Sequence, residues 1–122
     1  MEYLHLYKCL CDGQRLRILK LLESGPLCVC HLMEILEVDQ VKVSKQLRYM
    51  KELGMVEGER MAQWMVYRLA NPEDKLLLEN LKCLEDCCGE SIGFSEDAKK
   101  RQAITARIQK DAPACAAGIF NN

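Results

Sequence analysis

Residues 39–69 read DQVKVSKQLRYMKELGMVEGERMAQWMVYRL, and a change of rhythm within them decides the fold. In the first half Val43, Leu47 and Met50 recur at i, i+4 and i+7, the spacing that lines one side of an α-helix. Asp39 stands where an N-cap belongs, and Gly54 closes the run as glycines do just past a helix. From Met55 to Leu69 the period shortens toward two, which predicts two short strands turning near Met61-Ala62-Gln63. A helix feeding a β-hairpin is the reading end of a winged helix-turn-helix, provided that further helices stand upstream.

Working outward, the chain supplies them. A short helix carries Leu32, Ile35 and Leu36, and the Glu37-Val38-Asp39 turn joins it to the helix from 40 to 53. Before it, Asp12 caps a helix through Leu16, Ile18, Leu19, Leu21 and Leu22 that stops at Ser24-Gly25-Pro26. Tyr3, Leu6, Tyr7 and Leu10 mark an amphipathic first helix. Downstream, Asn71-Pro72 breaks the chain, and Pro72 is placed to open a fifth helix reaching about Cys88, with Leu77, Leu81, Leu84 and Cys88 on one stripe. Ser95 is expected to cap a sixth helix. Its acids (Glu96, Asp97) come first and its bases (Lys99, Lys100, Arg101, Arg107, Lys110) follow, matching the helix dipole. Pro113 should end it, and the small-residue tail, Cys115 included, reads as loose. The expected class is mainly α with a small β part (α+β): a winged helix-turn-helix whose wing is a two-stranded β-hairpin. Residues 1–90 are expected to form the DNA-binding domain, and 91–122 a C-terminal helix and flexible tail.

The chain has 122 residues, enough for one core. Its formal net charge of −1 excludes a uniformly basic nucleic-acid binder, so any DNA contact must come from a local patch. Such a patch exists: between Gln40 and Lys51 stand Lys42, Lys45, Arg48 and Lys51, with no acid. Lys42, Lys45, Gln46 and Tyr49 share a face opposite the apolar one. In a major groove Gln and Arg read base edges, while Lys and Ser mostly position the helix on phosphates. A merely solvated helix face is the plain alternative, and the hairpin that follows favours DNA.

Eight cysteines are many for this length. The start lacks a basic segment followed by an apolar run of about 7–15 residues, and no apolar run of about 18 exists. The expectation is therefore a cytoplasmic protein with no membrane partner, whose clustered thiols stay reduced and serve metal or redox chemistry. Cys28 and Cys30 are the sharpest pair. On a regular helix residues i and i+2 point about 200° apart, whereas in extended chain they share a face. The two thiols can hold one ion most readily at a helix entrance, and Pro26 just upstream agrees with one. Drawing them together should then pull the start of that helix out of line. A thiol enzyme fits poorly: there is no Cys-x-x-Cys, no βαβ pattern and no Gly-rich oxyanion loop. Trp64, Met65 and Tyr67 read as packing within the hairpin.

From Leu6 to Leu69 the chain resembles the ArsR/SmtB family of metal-responsive repressors. LYKCLCDGQRLRILKLLESG is similar to the family's opening, PLCVCHL to its metal-binding "ELCVCDL" motif, DQVKVSKQLRYMKELGMV to its recognition helix, and ERMAQWMVYRL to its wing. The resemblance implies a non-enzymatic, homodimeric repressor of a metal(loid)-resistance operon, packed through its first and last core helices. Leaving duplex operator DNA when As(III) or Sb(III) binds cysteine thiolates, it would use no organic cofactor. It places Gln40, Lys42, Ser44, Lys45, Gln46 and Arg48 on the DNA from the recognition helix, and Arg60 and Gln63 from the wing. This wing is less basic than the family's, with Glu59 near a usual base and Ala62-Gln63 where Gly-Arg is usual. It assigns Cys28 and Cys30 as metal ligands. The third sulfur of one family arrangement falls at Met33, and His31 replaces the usual Asp. Cys9, Cys11, Cys83, Cys87 and Cys88 stay open as further ligands. The family's zinc site on the last helix needs paired histidines, and His5 and His31 are the only ones. Sensing of Cd or Pb, or oxidation of Cys28/Cys30 or Cys87-Cys88, are the alternative signals.

Overall fold

The computed structural model describes residues 3–111, in the order α1 (Tyr3–Leu10), α2 (Gly13–Glu23), β1 (Leu27–Cys28), α3 (Val29–Leu36), α4 (Gln40–Glu52), β2 (Val56–Met61), β3 (Trp64–Leu69), α5 (Lys75–Ile92) and α6 (Phe94–Asp111). Three aspartates start three of the helices. Asp12, Asp39 and Asp74 sit in extended backbone and accept hydrogen bonds from the amides of Arg15, Lys42 and Leu77, satisfying N–H groups that the first turn leaves unpaired. Asp74 corrects the expected role of Pro72, which lies in the preceding turn and does not open the helix.

The wing is the expected hairpin of β2 and β3, and a short strand the sequence did not announce, β1, extends it to a three-stranded antiparallel sheet in the order β1-β3-β2. Leu27 and Cys28 pair with Tyr67 and Val66 of β3, so the entrance of α3 is stitched to the wing. At the tip Ala62 takes a positive φ of 57°. Across the ladder Gly58 faces Tyr67, whose ring would stand 2.8 Å from any Cβ there; glycine lets the ring lie flat over β2.

One core ties the helices together. Leu6 and Cys9 of α1, Ile18, Leu19 and Leu22 of α2, Leu32 and Ile35 of α3, and Val43, Leu47 and Met50 of α4 meet Leu77 and Leu81 of α5 and Ile104 and Ile108 of α6. The expected apolar faces of α3, α4 and α5 are therefore the buried ones, except that Leu84 and Cys88 are only half-buried. α5 runs past Cys88 to Ile92, with a break at Cys88 (φ −152°, ψ 24°), and ends on Gly93 at φ 106°. Gly93 also accepts the first hydrogen bond of α6, from the Asp97 amide, so Ser95 lies inside that helix and does not cap it. Asp97 does more than suit a dipole: buried, it takes both Nε and Nη2 of Arg17, at 2.8 and 2.7 Å. Arg101, also buried, donates to the Leu21 carbonyl at 2.6 Å and so seats α6 on the end of α2. Burial lowers its pKa to about 10. The expected end at Pro113 and the tail with Cys115 lie outside the described residues.

Candidate metal centre and nucleic-acid interface

Cys28 is the last residue of β1 and, with φ −83° and ψ 158°, the N-cap residue of α3. Its thiol makes no capping bond. Cys30 falls in the first helical turn. The switch from strand to helix between them brings the two Sγ atoms to 2.7 Å, with no disulfide between them. His31 Nδ1 stands 3.1 Å from the Cys28 sulfur, and all three donor atoms lie within 4.8 Å of one another. Cys28 and His31 are buried while Cys30 is exposed, so the group opens to solvent on one side. Burial lowers the His31 pKa below the usual imidazole value; Glu34 opposes this, and Arg107 and Arg101 reinforce it. The ring is thus neutral at pH 7, with a nitrogen lone pair to offer. Cys28 also packs with Val66 of β3, with Met61 and Trp64 at the edge, in a small apolar cluster that belongs to the wing.

The remaining described cysteines stand apart from this group. Cys9 is in the core and its thiol pKa is pushed up to about 11 by burial, with Arg15 pulling the other way. Cys11 is exposed. Cys83 and Cys87 share an exposed face of α5, and the hydrogen bond and charge of Cys83 raise the Cys87 pKa, disfavouring a thiolate there. Among the described residues, Cys28, Cys30 and His31 are the one convergence of three metal-ligating side chains.

On α4, Gln40, Lys42, Lys45 and Arg48 are exposed and Ser44 is half-buried. Gln46 is half-buried and held by the start of α2. Its Nε2 donates to Asp12 Oδ2 at 2.9 Å, and its Oε1 accepts from Arg15 Nη1 at 3.1 Å. Arg15 also donates to the Cys9 and Lys8 carbonyls at 3.2 and 3.0 Å, and its guanidinium lies 4.7 Å from the centre of the Tyr49 ring. The start of α2 therefore clamps α4 to the end of α1. Sequence reasoning missed Arg15; its place three residues after the Asp12 cap marks a helix start and carries no sign of a partner on α4. On the wing Arg60 and Gln63 are exposed at the tip, and Glu59 is paired with Arg68 at 2.8 Å. Among the described residues, no helix is long and apolar enough to cross a membrane.

Residues 12–58, from the cap of α2 into β2, match the family model described as "Bacterial regulatory protein, arsR family". The arsenical resistance operon repressor of Bacillus subtilis (strain 168) is 36% identical over 95 residues, which cover 71% of this chain and 90% of that one. The chain belongs to the arsR family. That family consists of DNA-binding transcriptional regulators and not of enzymes, in accord with the winged helix. The arsenic resistance transcriptional regulator ArsR1 of Pseudomonas putida (strain KT2440) is 42% identical over 69 residues, 56% of this chain. The chain spans about half that relative's length, 53%. Among solved structures, the AntR antimony-specific transcriptional repressor superposes with a TM-score of 0.59 at 29% identity, covering 70% of this chain and 76% of that one. The arsR-family match takes in both the cysteine pair and α4, but it stops before β3.

Proposed function

We propose that this protein is a cytoplasmic, homodimeric repressor of a metal(loid)-resistance operon that leaves duplex operator DNA when As(III) or Sb(III) binds Cys28 and Cys30. The observation that carries the reading is the 2.7 Å approach of the two sulfurs at the junction of β1 and α3. In the DNA-bound state Gln40 and Arg48 read base edges, Lys42, Ser44 and Lys45 hold phosphates, and Arg60 and Gln63 reach the backbone from the wing. Gln46 positions α4. Relatives named for arsenic resistance and the neighbour named as antimony-specific support the choice of inducer.

The two sulfurs already stand in contact, so an ion can bridge them with little rearrangement. One sulfur belongs to the strand paired with β3, the other to the helix packed on α4. Any shift of either sulfur on binding is therefore passed to both the wing and the reading helix, and a coupling of about 1–3 kcal/mol suffices to release the operator.

The test is operator binding by fluorescence anisotropy under full reduction, on the DNA upstream of the protein's own gene. Arsenite should release the parent. Cys28→Ser and Cys30→Ser should keep DNA affinity within about threefold and lose the response. Retention of DNA by the arsenite-saturated parent, or release only by an oxidant, overturns the reading.

A further inference from the structure

We propose that His31 is the third ligand of this centre, and that the Cys28–Cys30–His31 set binds a thiophilic divalent cation of the Zn(II) or Cd(II) kind. The inference rests on the assignment of Cys28 and Cys30 as ligands, and it is independent of whether the metalloid also binds them. Three observations support it. His31 Nδ1 lies 3.1 Å from one sulfur, and all three donors are mutually within 4.8 Å, without help from a second chain or the tail. Met33, where a third sulfur would otherwise fall, is spent on packing against the core. The helix that carries His31 is also fixed: Glu34, one turn further along α3, accepts from Nη1 and Nη2 of Arg107 at 3.0 and 2.9 Å, which pins that part of α3 to α6.

The donor chemistry selects the ion. Two thiolates and one neutral imidazole carry two negative charges, which a divalent cation neutralises. Thiolates favour soft ions, imidazole favours borderline ones, and zinc-like ions accept both in tetrahedral sites. Binding by the two thiols and the ring releases two protons to solvent, forms two metal–sulfur bonds and one metal–nitrogen bond, and changes no oxidation state. The fourth position stays open toward the exposed side at Cys30, for water or a further thiolate.

The experiment uses the full chain, reduced, loaded with ¹¹³Cd(II). Expected is one tightly bound Cd(II) per chain, a thiolate-to-cadmium charge-transfer band, and ¹⁵N–¹¹³Cd coupling on one imidazole. With only two histidines in the chain, His5→Gln assigns that ring without disturbing His31. His31→Ala should weaken Cd(II) at least tenfold, with the band retained at high Cd(II). No coupling on either ring, with the band intact, overturns the role of His31 and leaves the cysteine pair standing. An unchanged band in Cys28→Ser and Cys30→Ser overturns the pair itself.

Discussion

Gln46 and Lys45 are neighbours on α4 with opposite tasks. Lys45 is exposed, whereas Gln46 is tied to Asp12 and Arg15. Both substitutions should weaken operator binding, and the dependence on salt separates them. Lys45→Ala should lower the slope of log affinity against log salt by about 1, because one counterion fewer is released. Gln46→Ala should cost about tenfold in affinity at an unchanged slope, since it loosens the helix and removes no charge. Cys9 gives a second contrast. Its thiol titrates near 11 in the fold, against about 9 for a free thiol. Alkylation should therefore reach the exposed Cys11 at pH 8 and leave Cys9 intact until pH nears 11, as mass spectrometry of timed digests would show. The linked stability has a definite sign. The thiol ionises first in the unfolded chain, so stability falls as pH rises from 9 toward 11, by roughly 2–3 kcal/mol in all.

At the scale of elements, long periodic segments were legible and short or tertiary ones were not. The faces of α3 and α4 could be read because Val43, Leu47 and Met50 repeat at helical spacing and are buried as that spacing requires. β1 left no trace, since two residues cannot show a period and their pairing is dictated by β3. Pro72 and Ser95 misled for one reason: each carries a real helix-start preference, and an aspartate and a glycine close by took the position instead. The cysteine pair was visible from its spacing and from Pro26, but the nearness of His31 depends on where α3 begins. The bonds of Gln46 to Asp12 and Arg15 could not be read, because helical spacing assigns a face and says nothing of a glutamine bending back to a neighbouring cap. The tip of the wing offers an element-scale prediction. Ala62 holds φ 57°, a conformation that costs an L-residue about 1–2 kcal/mol and glycine little. Ala62→Gly should therefore stabilise the hairpin by about 1 kcal/mol, read as a higher denaturant midpoint at constant slope.

For the whole molecule, the distribution of exposed apolar side chains speaks to assembly. Tyr3, Leu4 and Tyr7 of α1 and Leu76 of α5 are 61, 49, 43 and 39% exposed. α1 and α5 are adjacent, since the Asn80 amide donates to the Tyr7 hydroxyl at 3.5 Å. An apolar patch of this kind on two neighbouring helices suits the isologous interface of a two-fold dimer. If the proposed dimer forms here, Leu76→Asp should yield monomers in sedimentation and weaken operator binding by at least tenfold, because two linked reading heads then act singly. An unchanged sedimentation coefficient would place the interface elsewhere.

The rung between Cys28 and Val66 has a consequence for evolution as much as for response time. In the proposed function the inducer site lies on the same ladder as the wing, and the helix that carries Cys30 packs directly on α4, with no relay of domains between them. The speed of answering an inducer should then be set by ligand exchange at sulfur. New inducer preferences could arise by exchanging single residues around that rung while the machinery for gripping DNA is inherited whole.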